Sequence, residues 1–137
     1  MESIIVTPAG GARLRVVGDT MRVLATAQQT GGAYEVFEME GPEGSGPPPH
    51  AHPWSEAYVV LEGEAEVLLD GRTIAAKPGC FFHIPPGIKH SYRITTPRAR
   101  FVVVTSPGGA SNFFEEVDAV TELEKVAAVA VKHGFSV

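Results

Sequence analysis

Cysteine is nearly absent from this chain. Cys80 is the only one in 137 residues, so no internal disulfide can form. Long hydrophobic runs are also missing, and no stretch approaches the roughly 20 apolar residues that a membrane-spanning helix needs. The opening MESIIVTPAGG carries an early acid and no basic region before an apolar run, which is not the pattern of a signal peptide. A cytoplasmic location is therefore expected. Positive charge is in the minority: 11 Lys and Arg against 16 Asp and Glu leave a net charge of −5. That balance argues against nucleic acid or an anionic membrane as a partner. Histidine is scarce too, with five in the chain.

What is present is an ordinary globular composition. Hydrophobic residues make up 44% of the sequence, and a chain of this length forms one domain able to bury a core. From Ile4 to Thr105 the residues read as short runs rich in Val, Ile, Tyr and Phe, broken by Gly and Pro. The expected strands are Ile4–Thr7, Ala12–Val17, Met21–Gln28, Ala33–Glu40, Glu56–Glu62, Glu64–Leu69, Thr73–Lys77, Cys80–Ile84, His90–Ile94 and Arg100–Thr105. Asp70-Gly71 is a hairpin signal, because both central residues of the favoured turn need positive φ. Many short strands with regular turns predict an all-β antiparallel sandwich or barrel. The tail changes character. Residues 111–117 suggest one or two helical turns, and Thr121–His133 reads as a helix with a Thr121/Glu124 capping box. Its apolar stripe would be Leu123, Val126, Ala127, Ala130 and Val131, and Gly134 would stop it.

Two segments carry the chemistry. GSGPPPHAHPWSEAYVVLEG places Gly44, five residues, His50, Ala51, His52, three residues, Glu56, six residues and Gly63. GCFFHIPPGIKH places Gly79, five residues, Pro85-Pro86-Gly87, two residues and His90. Three imidazoles and a carboxylate form a mixed nitrogen and oxygen ligand set for a first-row divalent metal. Strand side chains alternate faces, so His50 and His52 point the same way. Glu56, Tyr58 and Val60 join them if the strand runs on. An octahedral ion on these four ligands keeps two open positions, whereas a tetrahedral ion is saturated by them.

These segments resemble the two signature motifs of the cupin superfamily, and the likeness covers about residues 44–94. Every fixed position of the first motif is matched. The second is matched except at its end, where Ile94 stands in place of Asn. The resemblance is to small single-domain bacterial cupins of the quercetinase-like kind. The stretch Pro107–Glu116, PGGASNFFEE, followed by a final helix, adds to it. It implies a double-stranded β-helix, or jelly-roll barrel, spanning about 30–106, with a helical tail over 111–134, the whole chain 1–137 being a single cupin domain. It also implies one divalent transition metal per chain (Fe, Mn, Ni, Co, Cu or Zn) held by His50, His52, Glu56 and His90. In quercetinase-like cupins the matching Glu is proposed to leave the metal and act as a base, so Glu56 is the candidate catalytic residue.

The activity implied is a metal-dependent dioxygenase acting on a small enol or aromatic substrate. The alternatives are a non-oxidative enzyme of the same fold (an isomerase, decarboxylase or lyase) or a barrel that binds a small molecule without catalysis, since this scaffold hosts many chemistries. Tyr58, Val60, Phe37 and Met39 are the candidate pocket wall. Small cupins often pair, so a homodimer is expected, with the run Ile4–Gln28 as its interface. His83 is expected at an outward or edge position, His133 at a helix C-terminus, Cys80 as a small buried hydrophobe and Trp54 over the barrel rim. The Glu62, Glu64 and Glu66 cluster reads as a solvated strand face, and Arg93, Arg98 and Arg100 as surface charge.

Overall fold

The computed structural model describes residues 2–137. Among them the elements run β1 Arg13–Val16, β2 Asp19–Ala25, α1 Ala27–Thr30, β3 Glu35–Pro42, β4 Ser55–Glu62, β5 Ala65–Leu69, β6 Arg72–Ala76, β7 Phe81–Ile84, β8 His90–Ile94, β9 Arg98–Ser106, α2 Ala110–Glu116 and α3 Leu123–Lys132. The strands form two antiparallel sheets, β1-β2-β3-β9-β4-β7 and β6-β5-β8. This is the jelly-roll arrangement expected of the sequence. No helix among the described residues is long and apolar enough to cross a membrane.

Period-two alternation builds the interior. In β3 the buried positions are Glu35, Phe37, Met39 and Gly41, while Val36, Glu38 and Glu40 face outward. In β4 Tyr58 and Val60 are buried and Val59 and Leu61 are not. Register then sets inward residues side by side across the large sheet. Phe37, Val103, Tyr58 and Phe82 make one row, and Met39, Phe101 and Val60 the next. A third row holds Glu35, Thr105, Glu56 and Ile84. Ala65, Val67, Ala76 and Ile94 from the small sheet close the same core.

The hairpin at Asp70-Gly71 forms as expected. Leu69 pairs with Arg72, and φ is 51 at Asp70 and 76 at Gly71. His83 lies exposed on β7, the edge of the large sheet. On the outer face Arg98 and Arg100 pair with Glu38, Glu40 and Glu62 across β3, β9 and β4. Ion pairs this exposed add little stability.

Several expected boundaries shift. Ile4–Thr7 forms no strand: it pairs with no neighbour, and Ile5 is 88% exposed. The run Met21–Gln28 is split, because β2 ends at Ala25 and Ala27–Thr30 makes one helical turn. Thr26 caps that turn, with Gln29 reaching back to its backbone. The barrel begins before residue 30, since the β1–β2 hairpin joins the large sheet through β3. The Thr121/Glu124 capping box does not form, because Glu122 is the N-cap and α3 starts at Leu123. Val126, Val129 and Ala130 pack against Phe113 and Val117 of the α2 region, whereas Leu123 and Val131 are 66% and 60% exposed.

Candidate functional site

Backbone pairing positions the site before any side chain does. His50 and His90 form an isolated antiparallel bridge, with His50 N donating to His90 O at 3.0 Å and His90 N to His50 O at 2.8 Å. Pro85–Ile88 is the turn that delivers His90. Ile88 N reaches Pro85 O at 3.3 Å, and Gly87 at φ 79 occupies the turn position that demands positive φ. The same Gly87 N donates to His52 O at 2.9 Å, so the turn is bonded directly to the histidine pair. The strand does not run unbroken from His52 to Glu56, because Pro53 and Trp54 bend the chain before β4 begins at Ser55. Glu56 nevertheless returns to the inward face.

The three imidazoles each place a ring nitrogen within 4.8 Å of the others. Their Nδ1 atoms are all committed to backbone carbonyls: His50 to Pro48 O at 3.0 Å, His52 to Trp54 O at 3.0 Å, and His90 to Ile88 O at 2.8 Å. A carbonyl only accepts, so each Nδ1 carries the proton and each neutral ring leaves Nε2 as a bare acceptor. His52 Nε2 and His90 Nε2 are buried and have no hydrogen-bond partner. Glu56 borders this group with its side chain 16% exposed, one carboxylate oxygen 3.4 Å from His52 Nε2 and the other 3.7 Å from His90 Nε2.

Charge follows from that packing. Burial, and then the neighbouring His90, pushes the His50 imidazolium down to about 4. Burial also lowers His90, against the opposing pull of Glu56. For Glu56 burial acts upward, but the surrounding His52, His90 and His50 outweigh it and hold the carboxyl below its usual range. At neutral pH His50 and His90 therefore present neutral acceptor nitrogens beside a carboxylate. Acceptors converging in this way are unfavourable unless a cation sits among them. The residues fit a divalent metal on that ground, and the carbonyl-bound Nδ1 atoms are the outer-shell anchoring that metal-binding histidines use.

Unsatisfied polarity is concentrated here. The other buried side-chain atoms without a hydrogen-bond partner among the described residues are Trp54 Nε1, Tyr58 Oη and Thr105 Oγ1. Trp54 stacks on His52 with ring centroids 4.7 Å apart, Tyr58 lies two residues beyond Glu56 on the same face, and Thr105 stands opposite Glu56 in register. Burial and the charge of Glu56 push the Tyr58 phenol well above its ordinary value. Trp54 is thus 6% exposed beneath a histidine, not on the rim. The expected pocket residues Phe37, Met39, Tyr58 and Val60 are all buried in the barrel core. Sequence reasoning passed over Thr105 and the ring of Phe135, which lies 5.6 Å from His50 and 5.5 Å from His52. Strand parity with Phe101 and Val103 would have pointed Thr105 inward. Nothing in the sequence marks Phe135, which is reached only through the turn after α3.

Residues 37–105 match the family described as the Cupin domain. Quercetin 2,3-dioxygenase of Bacillus subtilis is 34% identical over 105 residues, which cover 76% of this chain and 31% of that protein. The chain thus spans less than a third of that relative. The polyketide cyclase RemF from Streptomyces resistomycificus is 30% identical, with a TM-score of 0.61 over 77% of this chain and 78% of its own. An RmlC-like cupin from Shewanella frigidimarina has a TM-score of 0.72 at 20% identity, over 81% of this chain and 96% of its own. That last likeness concerns the fold alone.

Proposed function

The chain belongs to the cupin family, and on that premise we propose that it is a divalent-metal enzyme, a quercetinase-like dioxygenase acting on a small enol or aromatic substrate. One observation carries the metal: His52 Nε2 and His90 Nε2 are buried without partners and face an ionised carboxylate, while every Nδ1 proton is engaged elsewhere. His50, His52 and His90 would hold the ion through Nε2 and Glu56 through a carboxylate oxygen. A metal bound there supplies Lewis acidity to a substrate oxygen.

The protein's own groups account for the remaining steps. Glu56, held ionised, takes the hydroxyl proton of an enol or phenol onto a carboxylate oxygen. Tyr58 keeps its proton and has no other partner, so its O–H is free to donate to a substrate oxygen. Val60, Phe37 and Met39 make the adjoining barrel interior apolar, which suits a flat, electron-rich substrate. A dioxygenase places both atoms of dioxygen in the product, so the substrate provides the electrons and no external reductant is needed. The likeness to the Bacillus dioxygenase supports this reading.

A non-oxidative reaction is the second reading, and the likeness to a polyketide cyclase favours it. The same base and phenol would enolise and reprotonate a carbonyl compound without oxygen. An oxygen electrode separates the two. Protein loaded with Fe, Mn, Co or Ni and offered flavonols and enols is expected to consume oxygen, with Glu56→Gln slower by about 100-fold. Substrate turnover at an undiminished rate without oxygen would replace the dioxygenase by the second reading. Ligand binding without turnover in either gas would leave a binding barrel.

A further inference from the structure

We infer that the segment following α3, residues 134–136, is a latch that sets the geometry of the imidazole cluster, with Phe135 as a positioning residue for His50 and His52. The inference rests on the metal reading above and extends it to a part of the chain outside both histidine segments.

His50-Ala51-His52 lies outside the named strands, so it lacks the ladder that holds the rest of the barrel. On one side it is held by the His50–His90 bridge and by Gly87 N, which donates to His52 O. On the other, Ala51 N donates to Ser136 O and Ser136 N to Ala51 O, both at 2.9 Å. Residue 136 thus acts as the second neighbouring strand for the residue between the two histidines. Ala51 is 6% exposed, and without that bridge its N–H and C=O would be buried and unpaired.

The rings hold the segment as well. Phe135 stacks on His50 with an interplanar angle of 26° and meets His52 edge-on at 75°. It also meets Trp54 edge-on at 5.3 Å, and Trp54 in turn stacks on His52. A carbonyl bond at Nδ1 fixes one point of an imidazole but leaves the ring plane to its packing, and Nε2 turns with that plane. Phe135 is itself anchored. Its ring lies 4.6 Å from Phe113 of α2, and its N–H closes the end of α3 by donating to Ala130 O at 2.9 Å. Gly134 makes the reversal at φ 91, tight against Pro53, the residue after His52: a Cβ there would lie 3.1 Å from Pro53 Cγ.

Cobalt(II) titration against a competing chelator, followed by visible absorption, tests this without any substrate. Phe135→Ala and Ser136→Pro, the second removing the latch N–H, are expected to raise the Kd for cobalt about tenfold or more and to change its ligand-field bands. Phe135→Tyr keeps a ring that is only partly buried and should restore both. Leu123→Ala, on the exposed side of α3, should change neither. Metal-free urea unfolding accompanies each variant. Should Phe135→Ala fail to fold, Ser136→Pro at an exposed residue carries the test. Parental affinity and bands in folded latch variants would overturn the latch alone. A parent protein that binds no cobalt would overturn the metal reading and the latch together.

Discussion

Glu35 and Glu56 stand in the same cross-strand row, separated by Thr105, and differ in what surrounds them. Glu35 is fully buried and receives Ala27 N at 3.1 Å, Gly109 N and Ser111 N at 3.0 Å, and the Ser111 hydroxyl. Those N–H groups belong to the first turns of α1 and α2, where a negative charge is favoured. Burial acts to raise its pKa, but the Ser111, Ala27 and Gly109 donors prevail and lower it. A carboxyl lowered on folding stabilises the protein above its unfolded value of 4.5 and loses that contribution as pH falls through the folded value. Urea unfolding should therefore show stability falling below pH 4.5, and Glu35→Gln should flatten that fall. Glu35→Ala leaves the donors unmatched and should cost about 3 kcal/mol at neutral pH. An unchanged acid limb in Glu35→Gln would remove Glu35 from this role. At this scale the histidines were legible because their spacing is itself the signal. Glu35 was not: an acid at an inward strand position looks like a register error until donors 74 and 76 residues away arrive.

The turn 85–88 shows what an element contributes. It binds His52 through Gly87 N and supports the His90 ring through Ile88 O. A Cβ on Gly87 would meet nothing within 4 Å, so the cost of Gly87→Ala is conformational, about 1 kcal/mol for a left-handed residue. Stability is expected to drop by that amount and metal affinity to weaken with it, read by urea unfolding and chelator competition. Equal affinity in the variant would show that the turn does not set His90. Strands flanked by Gly and Pro were readable from alternation alone, and Asp70-Gly71 from turn chemistry. Ile4–Thr7 has strand composition but no partner, and pairing is a tertiary fact that composition does not carry. The α3 stripe was misjudged because Val126, Val129 and Ala130 share one face and Leu123, Ala127 and Val131 an adjoining one, and only docking on the α2 region selects between them. That docking places Val129 inward and leaves Val131 exposed.

Taken whole, the molecule gathers one row of a large sheet, one turn and one returning segment at a single point. Contacts from Glu35 to α2, from Phe113 to Phe135 and from Phe135 to His50 connect the helical tail to the imidazoles. The motif spacing made the cluster foreseeable, while the tail's approach to it depends on a chain reversal at Gly134 that spacing does not encode. On this reading the cluster holds a metal. Elemental analysis of protein purified without chelator or affinity tag, beside His52→Ala, tests it most directly. About one Fe, Mn, Co, Ni or Cu per chain is expected, lost in the variant. Less than about a tenth of an equivalent in the parent, even after metal is supplied, would contradict it.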